Sequence, residues 1–289
     1  MNNTSWRHHY LPVFYLKGFT KESNKFKIYN VQEKRFIKNG KEFSPQSYFF
    51  EENANTIYFK GQKSDFLETE HYAYFDNNIS DLIDKINSSD NTSRFNVDED
   101  DMPALNHFVS LMYWRLPHRE DELKLLINNN DLNSLGLAIK NSSGSRDKKR
   151  EEEFKNSEPF IKSYKYYNSI MDSIRGLNCR TPYTILENTN MFPYLCSDNP
   201  VIFEKESSLK VYEDDYIFPL SGTRLFIRSN KRDNFPIFLR LMVDTLVFKQ
   251  AVKYVSCTDE KYIEMLDNNF EKYNVSIEEF KNYIFNKLR

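Results

Sequence analysis

Glycine is scarce in this chain: 7 residues among 289. No GxGxxG, GxxxxGK[ST] or GxSxG pattern occurs. Phosphate-cradling glycine loops and a nucleophile elbow are therefore excluded as readings of the sequence. Cysteine is equally sparse. Cys179, Cys196 and Cys257 are odd in number and widely spaced, which argues against a disulfide scaffold or a CxxC zinc site and fits a reducing, cytoplasmic setting. No run of 18 apolar residues exists, so no membrane-spanning helix is expected. The polar opening, Met1 to His9, lacks the apolar stretch of a signal peptide. Forty basic and 42 acidic residues leave a formal charge of −2, so contact with nucleic acid would require a local basic patch.

Aromatic residues are abundant, with 24 Phe and 19 Tyr. Together with many Asn, Lys and Ile, they match the codon bias of an AT-rich genome. They are first of all core material. Hydrophobic residues at 39% permit a packed core and exclude wholesale disorder.

The patterning predicts an α+β fold in one domain over 1–289. Residues 25–60 alternate as short strands, with turns at Asn39-Gly40 and Gly61, and form a small N-terminal β-meander. Helical spacing begins near Ser64, where Asp65 and Glu68 stand in capping-box spacing. It continues through Leu67, His71, Phe75, Ile79, Leu82 and Ile86. After an acidic loop ending at Asp101, Pro103 opens a helix whose buried stripe is Leu105, Phe108, Val109, Met112 and Leu116. The stripe resumes with Leu123, Leu126 and Ile127. Residues 141–153 read as a flexible surface loop, and 152–175 as one more helix. From 181 to 228 the chain reads as a C-terminal antiparallel sheet. Terminal helices are predicted at 233–252, 259–269 and 276–288.

Four segments carry groups suited to chemistry. His8 and His9 are adjacent, so on an extended chain they point to opposite sides. One would face a site while the other packs, or both would anchor the N-terminal segment by hydrogen bonds. Arg115 and Arg119 lie four apart, hence on one face of a helix. Pro117 between them frees a carbonyl and kinks or restarts that helix. Two guanidiniums there make either an anion clamp or a pair bonded to Glu120, Asp121 or Glu122. Ser197-Asp198-Asn199-Pro200 is either a capped turn or a carboxylate presented at a strand end. Glu68, Glu70, His71 and Asp76 on the first long helix are surface charge or a source of metal ligands.

Taken together, these segments resemble the DUF4238 family. His8 to Phe19 is similar to its His-His-Tyr-x-Pro-x-Phe-Tyr-Leu-x-x-Phe opening. Lys27-Ile28-Tyr29 and Tyr48-Phe49 continue the likeness. Trp114 to Arg119 resembles its Arg-Thr-Pro-x-x-Arg helix, with Leu116 in place of Thr. Cys196 to Val201 resembles Ser-Asp-Asn-Pro-Val, Phe218 to Ser221 its Pro-Leu-Ser, and Ala251 to Ser256 its closing segment. The resemblance implies one domain but brings no assigned reaction.

From residue types, a site of His, Arg, Glu and Asp points to a hydrolase, a nuclease or nucleotide-processing enzyme suited to a defence or toxin role. In that reading His8, His9, Arg115 and Asp198 are catalytic. Arg119, Ser197 and Asn199 bind substrate. Asp198 with Glu68 or Glu70 holds Mg²⁺ or Mn²⁺. The expected partner is nucleic acid or a nucleotide. The alternatives are a sensor or binding module for an anionic ligand, or a structural polar network. Glu153-Phe154-Lys155 and Glu279-Phe280-Lys281 lack the strand context of a nuclease motif. The predicted geometry is one cluster, about 10 Å across, of His8 or His9, Arg115, Arg119 and Asp198.

Overall fold

In the computed structural model, residues 6–89, 101–176, 183–187, 192–205, 211, 213–229, 237–270 and 276–288 are described. The chain opens with strand β1 (Arg7–His9) and a short helix α1 (Val13–Lys17). Seven short strands follow: β2 (Phe26–Lys27), β3 (Tyr29–Asn30), β4 (Arg35–Phe36), β5 (Glu42–Phe43), β6 (Phe50–Glu52), β7 (Ile57–Phe59) and β8 (Gln62–Ser64).

These strands do not form the simple meander predicted. β1 pairs with β6, β2 with β5, and β7 with β8. β3 and β4 instead join strands from the far end of the chain, β10 (Cys196–Ser197) and β14 (Tyr254–Ser256), in the order β10-β14-β3-β4. Side chains reinforce this seam: Lys21 and Lys27 bond Glu260, and the Tyr29 hydroxyl donates to Asp267. Runs of two or three residues cannot bury a face alone, so they take edges from wherever the fold offers them.

A second four-stranded antiparallel sheet runs β11-β12-β13-β9, from Ile202–Phe203, Tyr216–Pro219, Arg224–Arg228 and Tyr183–Glu187. Each residue of β11, β12 and β13 is buried, as expected for a sheet packed on both faces.

The helical layer is α2 (Ala73–Asn87), α3 (Met102–Arg115), α4 (Arg119–Asn129), α5 (Lys148–Lys155) and α6 (Glu158–Gly176). The helices α7 (Ile237–Gln250), α8 (Glu260–Phe270) and α9 (Ile277–Leu288) close the chain; expected helix residues 233–236 and Cys179 lie outside the described residues. The α+β class is as predicted, with three local differences. A π turn over Leu67–Tyr72 precedes α2. Past it, Ile83 is buried beside Ile79 and Ile86, while Leu82 is only partly covered. Asp65 caps nothing with its side chain, which bonds Thr56 and Lys63 instead. The expected helix over 152–175 is two, broken at Asn156–Ser157, and Pro159 sits in the first turn of the second. Its predecessor starts inside the stretch expected as loop, with Asp147 accepting from the Arg150 amide.

α3 is the central element. From Leu105 to Arg115, every residue but His107 is buried, so the helix is covered on all sides. Beside it, Asp172 of α6 is 1% exposed. Its Oδ2 accepts from Ser110 Oγ and Trp114 Nε1, each at 2.9 Å. Burial raises this carboxyl to about 6, although both donors favour the anion. A carboxyl whose pKa is higher folded than unfolded adds stability at low pH, and that contribution is lost as pH rises through the folded value. The loss therefore falls between about pH 4 and 6. Asp172→Asn keeps an acceptor for both donors and removes the charge. It is expected to raise stability at pH 8 by on the order of 2 kcal/mol, and to change it little at pH 4. Urea unfolding at the two pH values measures this; a variant less stable at pH 8 would refute it.

Candidate functional site

Pro117 decides where the two arginines go. α3 stops at Arg115, Leu116 is extended at ψ 134°, and α4 restarts at Arg119. The four-residue spacing no longer puts both on one helical face, and the predicted clamp does not form. Arg115 Nη1 reaches both oxygens of Asp76, at 3.0 and 3.1 Å, and the guanidinium lies over the Tyr72 ring at 4.3 Å. Arg119 turns the other way. Its Nη1 bonds both oxygens of Glu122 at 2.8 and 2.9 Å, its Nη2 reaches Asn199 Oδ1 at 3.4 Å, and it lies over Tyr113.

The Ser-Asp-Asn-Pro turn is a buried lattice. Asp198 Oδ1 accepts from the amide of Val252 at 2.8 Å. Its Oδ2 accepts from those of Lys253 and Tyr254 at 2.8 and 2.9 Å. Ser197 Oγ accepts from the Asn199 amide, and the Asn199 side chain donates to the Gln250 carbonyl. Gln250 returns the contact through Nε2, to the carbonyls of Asn199 and Val201. Burial raises the Asp198 carboxyl, and the three amides partly offset that. Both oxygens are engaged with backbone, so Asp198 anchors the turn between α7 and β14 rather than facing a metal. Glu68 accepts from Asn55 Nδ2 at 2.7 Å, and Glu70 is exposed. Among the described residues, no group of three His, Cys, Asp or Glu is arranged to hold a metal ion. The expected Mg²⁺ or Mn²⁺ set of Asp198, Glu68 and Glu70 does not fit this geometry.

What does converge is an open, polar cleft of about 380 Å³ between the β1–β6 pair, the hairpin β7–β8, the Pro117 break and α6. His8, Glu51, Glu52, Tyr58, Arg115, Glu120, Glu158, Lys162 and Lys165 are among its lining residues. His8 and Arg115 belong to the predicted cluster; His9, Arg119 and Asp198 are absent from this lining. His9 contacts the Gln46 backbone and the Phe50 ring, and burial and the nearby Arg115 lower its pKa.

The cleft is built by register. His8 stands directly across from Glu51, and such antiparallel partners share a face of the ladder. Phe49 immediately before β6 holds φ at +59°, and its carbonyl accepts from the amides of Tyr10 and Leu11. A bulky residue in that left-handed region is strained, and this one stands where the chain enters β6. His8 Nδ1 accepts from the Asn55 amide at 2.9 Å, so a neutral His8 carries its proton on Nε2.

Cations and carboxylates alternate around the cleft. Lys165 bonds Glu120 at 3.0 Å, and Lys162 bonds Glu158 at 2.6 Å and the Thr56 carbonyl at 2.7 Å. Burial disfavours the Glu120 anion, but Lys165 and Lys124 outweigh it and hold its carboxyl low. Glu51 is exposed at its outer side, yet partial desolvation raises its carboxyl; Glu120 adds to this and Lys165 opposes it. Burial works against the charge on Arg115, but Asp76, Glu68 and Tyr72 more than offset it and keep the guanidinium charged.

The sequence reading missed Glu51, Lys162 and Lys165. Phe-Glu-Glu and Ile-Lys-Ser-Tyr-Lys look like solvated surface, and only the pairing of β1 with β6 and the packing of α6 give them a common site. Among the described residues, no helix is long and apolar enough to cross a membrane. The family described as "Protein of unknown function (DUF4238)" matches residues 7–249. No curated protein and no solved structure matches the chain.

Proposed function

The chain belongs to the DUF4238 family, and we propose that its cleft is the active site of a hydrolase acting on a phosphate-bearing substrate the size of a nucleotide. The observation that carries this reading is the meeting of His8 and Arg115 with Lys162 and Lys165 around one open polar space. A volume near 380 Å³ lies at the small end of ligand pockets and suits one nucleotide unit better than a duplex.

The two lysines are the adaptable part of the site. Each sits on α6 with a flexible stem and a carboxylate partner that a phosphate can replace. Arg115 is held by Asp76 and Tyr72 and supplies a fixed positive charge at the cleft wall. His8, oriented by the Asn55 amide, and Glu51 across from it supply the titratable groups for proton transfer.

Calorimetric titration with adenosine 5′-monophosphate tests the reading. Lys165→Ala is expected to weaken binding about tenfold, the equivalent of 1.4 kcal/mol. Wild-type protein that fails to bind the nucleotide, or a variant that binds it equally well, would refute the reading.

A further inference from the structure

We infer that the bond broken in this cleft is the glycosidic C–N bond of a nucleotide, with Glu51 as the catalytic carboxylate and Tyr58 as the surface on which the base stacks. The inference rests on the reading of the cleft as a nucleotide-hydrolase site.

The charge balance of the cleft argues for this bond. Four carboxylates, Glu51, Glu52, Glu120 and Glu158, face three cations, Arg115, Lys162 and Lys165. Phosphoryl transfer keeps negative charge on the phosphate oxygens in its transition state, and sites for it are dominated by cations. A wall with a surplus of acids serves that chemistry poorly. Cleavage at a sugar carbon develops positive charge on the ring, which a nearby carboxylate stabilises. The cations of this cleft are each tied to an acid: Arg115 to Asp76, Lys162 to Glu158, Lys165 to Glu120. Among the described residues neither the Glu51 nor the Glu52 carboxylate takes part in a side-chain hydrogen bond or ion pair, and of the two Glu51 is the one across from His8, with Lys165 and Glu120 near enough to act on its carboxyl. Phosphate and sugar thus find opposite charges in one space.

Tyr58 supplies the third element of such a ligand. It lines the cleft yet is 53% exposed. Its position across from Lys63 on the β7–β8 hairpin fixes the ring on a short, tight ladder. An aromatic ring left open beside a polar cleft is a stacking surface that any base can use.

The step balances with water alone. Glu51 accepts a proton from water as the water oxygen bonds to the sugar carbon. The C–N bond breaks, its electron pair leaves with the base, and the base takes a proton from solvent. The products are free base and ribose 5-phosphate.

Incubating the protein with the four ribonucleoside 5′-monophosphates and separating the products tests this. Release of free base with ribose 5-phosphate is the expected result. Release of inorganic phosphate and nucleoside would overturn the inference and leave the hydrolase reading standing. Binding without turnover would overturn the inference, and absence of binding would overturn both. Glu51→Gln changes an exposed residue in the middle of β6, and is expected to slow base release at least a hundredfold with affinity changed less than threefold. The acid-side fall in the wild-type rate should come at a pH above the ordinary carboxylate range and vanish in Glu51→Gln. An unchanged rate in that variant would overturn the assignment of Glu51. Tyr58→Ala is expected to weaken nucleotide binding about tenfold and leave ribose 5-phosphate binding unchanged; equal losses for both ligands would overturn the stacking role.

Discussion

Asp198→Ala is expected to cost on the order of 3–5 kcal/mol of folding stability, because it strands three backbone amides at once. Val252, Lys253 and Tyr254 all donate to this one carboxylate. An unmet buried donor costs about 1–3 kcal/mol, and a domain of this kind has about 5–15 kcal/mol in total. The amides follow on α7 and lead into β14, so losing their acceptor loosens the junction of that helix with the antiparallel β10-β14-β3-β4 sheet. Asp198→Asn should also destabilise, by a smaller amount. Whichever way the amide is turned, an NH₂ group replaces an oxygen that accepts at least one of the three bonds. This differs from the expectation for a catalytic or metal-binding aspartate, where the amide is tolerated by the fold. Urea unfolding of both variants is the measurement. A loss below about 1 kcal/mol for Asp198→Ala would show that the lattice contributes little.

Arg115→Ala is expected to cost about 3–5 kcal/mol, since it leaves Asp76 half-buried and unpaired. Removing the acid as well, in Arg115→Ala/Asp76→Ala, should recover part of that loss, and the double-mutant cycle gives the coupling between the two. Arg115→Lys tests the stack on Tyr72. Arg115 reaches both Asp76 oxygens through Nη1 alone, an approach that one lysine nitrogen can keep, but a lysine loses the planar guanidinium over the Tyr72 ring. Stability should fall by about 1–2 kcal/mol, within the range for a desolvated cation–π contact. A loss in the double variant equal to the sum of the two single losses would mean that the ion pair is not coupled.

Local patterns carried much of the fold. The stripe Leu105, Phe108, Val109, Met112 and Leu116 is buried throughout, because a 3.6-residue period reports directly on which face meets the core. Pro117 marked the helix restart, and Asn39-Gly40 and Gly61 marked turns where positive φ is needed. Pro159 carried the same kind of signal for the break before α6. The apolar residues on either side of it hid that signal by keeping helical spacing. The site was less legible for a different reason. Asp198 looked reactive because its three donors lie more than fifty residues away, and nothing near it in the chain names them. Glu51 looked inert because its meaning depends on the register of β1 against β6, and single-strand pairs of three residues leave register unspecified by pattern. Of the predicted residues, His8 and Arg115 line an open cleft, Arg119, Ser197, Asp198 and Asn199 form a packed interior, and His9, Glu68 and Glu70 belong to neither.

The pairing of β3 with β14 also determines when the protein can finish folding during synthesis. The seam that joins these strands includes a bond from Lys27 to Glu260, partners separated by 233 positions. At translation rates of about 5–20 residues per second, the first strands wait roughly 10–50 s for their partner to be made. Through that interval β3 presents an unpaired edge and the aromatic face of Tyr29 to solvent, the kind of surface that recruits other chains. The strand β3 is thus among the last elements to be secured, and the protein's yield in a cell depends on what shields it until β14 has been made.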